Sequence, residues 1–136
     1  MVAGEGGNAI ILAMRIALMI LALLPYLYFG GKDQVFHFVG RKVSPVEHLL
    51  HLFIGCLMAA AIVCAFRARV IAFVIGIAAF LVFGALDEYV YHRGLPEHES
   101  DLHAKGHLAL LIFVVVSLAT IWLDQNGWRL PSLNNG

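Results

Sequence analysis

Four long apolar runs, separated by short polar breaks, account for most of the chain. Each comes close to the roughly 20 residues a helix needs to cross a bilayer. The first run spans about 8–28, with Pro25 near its end. The second opens on Ser44-Pro45-Val46-Glu47 and runs to about 66. Serine at the N-cap, proline at the first helical position and glutamate three residues after the cap form a strong helix start. The third run covers about 70–92, where Gly94 and Pro96 stop it. The fourth covers about 100–123 and gives way to Asp124-Gln125-Asn126-Gly127. Arg67-Ala68-Arg69 leaves room only for a tight turn, so the second and third helices are antiparallel neighbours. Residues 29–43 read as a polar link lying in the membrane interface, with Phe36 and Phe38 among basic residues. The tail to Gly136 is polar, with Trp122 and Trp128 at interfacial depth.

The expected fold is therefore an all-α integral membrane protein, an antiparallel four-helix transmembrane bundle forming one domain over residues 1–136. Composition strengthens this. Hydrophobic residues make up 61% of the chain and charged residues 13%, against about 45–50% and 25% in soluble proteins. Nine basic and nine acidic residues cancel, and no basic face points to nucleic acid. The first residues carry Glu5 in place of a basic leader region, and Arg15 interrupts the apolar run, so this segment is expected to be a retained helix rather than a signal peptide. Arg15 lies about 10 Å along its helix and is expected to snorkel to the nearer headgroups, with Asp124 as the alternative partner. Cys56 and Cys64, two helical turns apart on one segment, are too distant to bridge and are expected to be small buried residues.

Four antiparallel spans divide the polar residues unevenly. All seven histidines (37, 48, 51, 92, 98, 103 and 107) fall at the end that carries the first and third loops. Seven of the nine acids join them: Asp33, Glu47, Asp87, Glu88, Glu97, Glu99 and Asp101. The densest stretch, Asp87 to His107, reads DEYVYHRGLPEHESDLHAKGH, and Glu47-His48-x-x-His51 faces it from the second helix. Helical spacing of i, i+4 places a histidine one turn from a carboxylate three times: Glu47/His51, Glu88/His92 and Glu99/His103, with His107 continuing the last stripe. Asp101 and Lys105 lie opposite that stripe as an i, i+4 ion pair. Glu97 and His98 are read as loop residues.

Imidazole and carboxylate together suit iron, manganese, zinc or copper. The expected metal ligands are Glu47, His48, His51, Glu88, His92, Glu99, His103 and His107, forming a mono- or dinuclear site at one membrane face. Ionisable groups within a span cost about 2.5–3.5 kcal/mol on insertion scales and are functional by default. In ligand type the arrangement is similar to the ferritin-like di-iron bundles, which use Glu-x-x-His at i, i+3 where this chain has i, i+4. Asp87 and Tyr91 are the expected catalytic residues beside the metal.

These readings lead to a membrane metalloenzyme. Iron is favoured, for hydroxylation or desaturation of a lipidic or hydrophobic substrate; zinc, for hydrolysis, is the alternative. No serine or cysteine nucleophile sits beside a histidine, which speaks against covalent catalysis. Haem b between His51 and His107 would use two histidines but leave the carboxylates unexplained. Transport would need polar groups across the membrane, where the far halves offer only Ser117 and Thr120. An accessory subunit of a larger membrane complex is the remaining reading. The expected partners are membrane lipids and a redox donor or partner subunit, and the expected location is a bacterial inner membrane. Five basic residues at the histidine end against four at the other lean that end towards the cytoplasm.

Overall fold

The computed structural model describes residues 5–36, 39, 43–91 and 97–126, and among them it is helical, with no strand. Four helices follow in order: α1 (Glu5–Val35), α2 (Pro45–Phe66), α3 (Val70–Val90) and α4 (Glu97–Asn126). All four are long and apolar enough to cross a membrane. Their outward faces carry leucine, isoleucine and valine in the open, such as Leu21, Ile71 and Leu111. Soluble proteins rarely expose continuous apolar surface on this scale. By length and composition this is the pattern of a multi-pass membrane protein.

Local signals start and stop the helices. Ser44 takes an extended backbone at the N-cap and its hydroxyl accepts the Glu47 backbone N–H at 3.2 Å. The turn between α2 and α3 closes through Arg67, Ala68 and Arg69, whose N–H groups bond the carbonyls of Val63, Ala65 and Cys64. Ala68 takes a left-handed backbone there, with φ 54°. Two boundaries differ from the sequence reading. Residues 29–35 are the last two turns of α1, not an interfacial link, because Pro25 inside the helix does not end it. Proline within a membrane helix is tolerated where neighbours re-satisfy the freed backbone groups. Likewise α4 begins at Glu97, so Glu97 and His98 belong to its first turn and not to a loop.

Each helix buries one narrow stripe. On α1 it is Arg15, Met19, Ala22 and Asp33; on α2, Glu47, His51, Met58, Ala61 and Ala65; on α3, Phe73, Phe80 and Asp87. On α4 it starts at Glu99 and runs through Leu102, Gly106, Ala109, Phe113, Ser117 and Thr120. Spacings of three and four that sum to seven are those of left-handed bundles. The middle of every stripe is apolar and meets in one core, where the rings of Phe73 and Phe113 pack edge to face at 6.3 Å.

The helices associate as two pairs. α1 packs along α4 and α2 along α3, with a lighter contact between α2 and α4. The Arg67–Arg69 turn makes α2 and α3 antiparallel, and contacts at both ends do the same for α1 and α4: Arg15 near the start of α1 meets Asp124 near the end of α4, and Asp33 meets His103 at the opposite end. Arg15 is buried and bonds both Asp124 and the Phe66 carbonyl, 3.1 Å away. It therefore does not snorkel to headgroups. Its position on the inward stripe turns it to the last turn of α4 and to the carbonyls that end α2. α2 and α3 approach one another closely at Gly76. A Cβ there would stand 3.0 Å from the Ala61 Cβ and 3.4 Å from its Cα. Gly76→Val is expected to destabilise the protein by about 1–3 kcal/mol through overpacking, read as a lower thermal midpoint in detergent. An unchanged midpoint would show that α2 and α3 do not pack this closely.

Candidate functional site

Because the helices are antiparallel, the polar ends of the four stripes converge. Asp33 ends α1, Glu47 and His51 open α2, Asp87 ends α3 and Glu99 opens α4, and all five are buried. Two carboxylate–imidazole systems join them across helices. His51 Nε2 lies 2.9 Å from Asp87 Oδ2, with both side chains almost wholly enclosed. His103 stands between two carboxylates, its Nδ1 3.2 Å from Asp33 Oδ2 and its Nε2 3.1 Å from Glu88 Oε2. The ring of His107 rests on that of His103, with centroids 4.4 Å apart. Three helices, α1, α3 and α4, are thus tied through one imidazole, and α2 and α3 through another.

These contacts redistribute the expected site. The sequence stripes paired each histidine with the carboxylate of its own helix, whereas the bonds described here run between helices. Asp33, set aside in the sequence reading, proves central. A recognisable signal existed: Tyr26, Gly30 and Asp33 are spaced i, i+4, i+7, but only a helix continuing past residue 28 puts them on one face. Glu99, His103 and His107 do not form a single inward stripe. Each i, i+4 step turns by about 40°, so Glu99 is buried, His103 half-buried and His107 exposed. Asp101 and Lys105 pair at 2.6 Å on the outer surface. Tyr91 caps α3, its N–H donating to the Asp87 carbonyl at 2.8 Å. His92 and His37 lie outside the described residues, so the Glu88/His92 pair does too.

Between the helix pairs, beginning at this polar end, lies a cavity of about 580 Å³. Asp33, His48, His51, Asp87, His103 and His107 line its head, and Met58, Ile62 and Phe80 line its body. Cys56, expected to be buried, is exposed on the cavity wall, and Cys64 is half-buried; both are reduced thiols. A cavity of this size, largely apolar with a few convergent polar groups, has the character of a small-molecule site.

The donor set suits a transition metal in kind. Its present arrangement is a set of carboxylate–imidazole pairs, and among the described residues no three His, Cys, Asp or Glu groups surround a common point suited to an ion. Both nitrogens of His103 face carboxylate oxygens, so a metal could use this ring only where one carboxylate transfers from the imidazole to the ion. Carboxylates bonded to histidine are also the usual outer partners that orient a ligating imidazole, a role open to Asp87 and Asp33.

No family model, curated protein or solved structure matches the chain.

Proposed function

We propose that the chain is a multi-pass membrane metalloenzyme that oxidises a hydrophobic substrate held in the cavity between its helix pairs. The observation that carries this reading is the gathering of His48, His51, His103 and His107 with Asp33 and Asp87 at the head of an otherwise apolar cavity. Membrane helices keep ionisable groups at a cost and use them for function. His48, His51 and His107 are the proposed imidazole ligands. Glu47, Glu88, His92, Glu99 and His103 complete the proposed set, and Asp87 and Asp33 orient the rings. Tyr91, beside Asp87, is the proposed proton donor. Iron is favoured over zinc because the site is rich in both carboxylate and imidazole. When bound, iron would supply dioxygen activation: a substrate C–H and O₂, with two electrons and two protons from an external donor, become C–OH and water.

The test is elemental analysis of protein purified without added metal. The expected result is iron bound to wild-type protein at about the level of one or two ions per chain, the capacity of a mono- or dinuclear His/carboxylate site. The His51→Ala, His107→Ala double variant should lose it. Trace metal in both proteins would sink the proposal, and a Soret band would replace it with haem.

A further inference from the structure

The cavity also has a route in, and its walls restrict what can use it. α1 and α2 barely touch, although both line the cavity. Leu27 on α1 and Leu52 on α2 stand at the cavity rim, 51% and 66% exposed. The gap between these helices is thus edged by apolar side chains, as an opening towards hydrocarbon would be. Inside, glycines keep the walls bare. A Cβ at Gly31, Gly55, Gly84 or Gly106, one position from each helix, would meet nothing within 4 Å. All four glycines line the cavity.

Size and charge then narrow the occupant. Allowing roughly 30 Å³ per heavy atom, the share of a water molecule in the liquid, a cavity of about 580 Å³ takes on the order of twenty heavy atoms. That is room for one long alkyl chain with a small head. At the polar end, Asp33 and Asp87 each already hold a histidine. No lysine or arginine is among the described residues lining the cavity. An anionic head would meet two carboxylates and none of the lysine or arginine side chains that most anion sites use. A hydroxyl or carbonyl head can instead exchange hydrogen bonds with the imidazoles.

We propose that an uncharged single-chain lipid enters sideways between α1 and α2 and lies with its hydroxyl or carbonyl head against the His51–Asp87 and Asp33–His103 pairs. This rests on the hydrophobic substrate in the preceding reading but not on the metal.

The test uses hexadecanol with a mid-chain diazirine, photolysed with the purified full-length protein both as isolated and after chelation. Adducts are expected on residues 58–62 and on Phe80, in both preparations. Unlabelled hexadecanol should suppress them, and hexadecanoate should compete about tenfold less well, a difference of about 1.4 kcal/mol. Gly84→Leu and Gly106→Leu, which put side chains into the cavity, should each cut labelling about tenfold. Adducts confined to outward residues such as Leu81 and Val115, or equal competition by hexadecanoate, would overturn the proposal. Should either variant fail to fold, the wild-type protein decides: hexadecanol should slow N-ethylmaleimide alkylation of Cys56, and an unchanged rate refutes binding. Labelling of protein that proves to hold only trace metal as isolated would leave this proposal standing while removing the metalloenzyme.

Discussion

His51→Ala is expected to cost about 1–3 kcal/mol of stability, the range found when a buried polar group loses a hydrogen-bond partner. The His51 imidazole and the Asp87 carboxylate meet at 2.9 Å with only about 6% of either side chain exposed. Alanine takes away one hydrogen-bond partner of a buried carboxylate at the polar end of the cavity. Replacing both partners tests the cause. His51→Phe with Asp87→Leu keeps volume and removes both polar groups, and such exchanges are often neutral or stabilising. The double variant should therefore unfold within about 1 kcal/mol of wild type in detergent, and under the proposed function it should hold no metal. That outcome would separate the pair's part in folding from its part in the proposed site. Equal stability of His51→Ala and wild type would show that the pair is not buried in the membrane protein.

At the opposite end, Asp124→Ala is expected to be more damaging than Arg15→Met. Arg15 has 6% of its side chain exposed and Asp124 has 33%. Removing Asp124 leaves a buried guanidinium whose other described partner is the Phe66 carbonyl, at a cost of about 3 kcal/mol. Removing Arg15 instead leaves a carboxylate with access to water, and methionine refills the space with an apolar chain. Thermal unfolding of both single variants and the double variant gives the coupling directly. The reverse order would mean that Arg15 reaches water and the clamp across α1, α2 and α4 is absent.

The two ends differ in how readable they were. Number, length and lipid-compatible character of the helices follow from local sequence: runs of apolar residues, Ser44-Pro45, the short Arg67–Arg69 turn. The clustering of histidines at one end followed as soon as four spans were counted. The rotation of each helix was not legible. In a soluble helix the apolar face points inward; here Leu111 is exposed and Leu110 buried, and both are leucine. With lipid on one side and a core on the other, hydrophobic periodicity carries little directional information. The polar residues are then the main guide to the inward stripes: Glu99 is buried and His103 and His107 line the cavity, with His107 the more exposed of the two.

By itself, then, the sequence determined a helical chain with four segments able to span a membrane and a strong chemical polarity between its ends. Both properties depend on residues near one another along the chain. Tertiary structure decided which carboxylate serves which histidine, that Asp33 belongs to the site, that Arg15 is clamped, and that a glycine-walled cavity leads away from the cluster. Those outcomes depend on α1 pairing with α4 and α2 with α3, and on the register set by contacts such as Gly76 against Ala61. Packing between distant residues selects that register from many that lipid would tolerate equally.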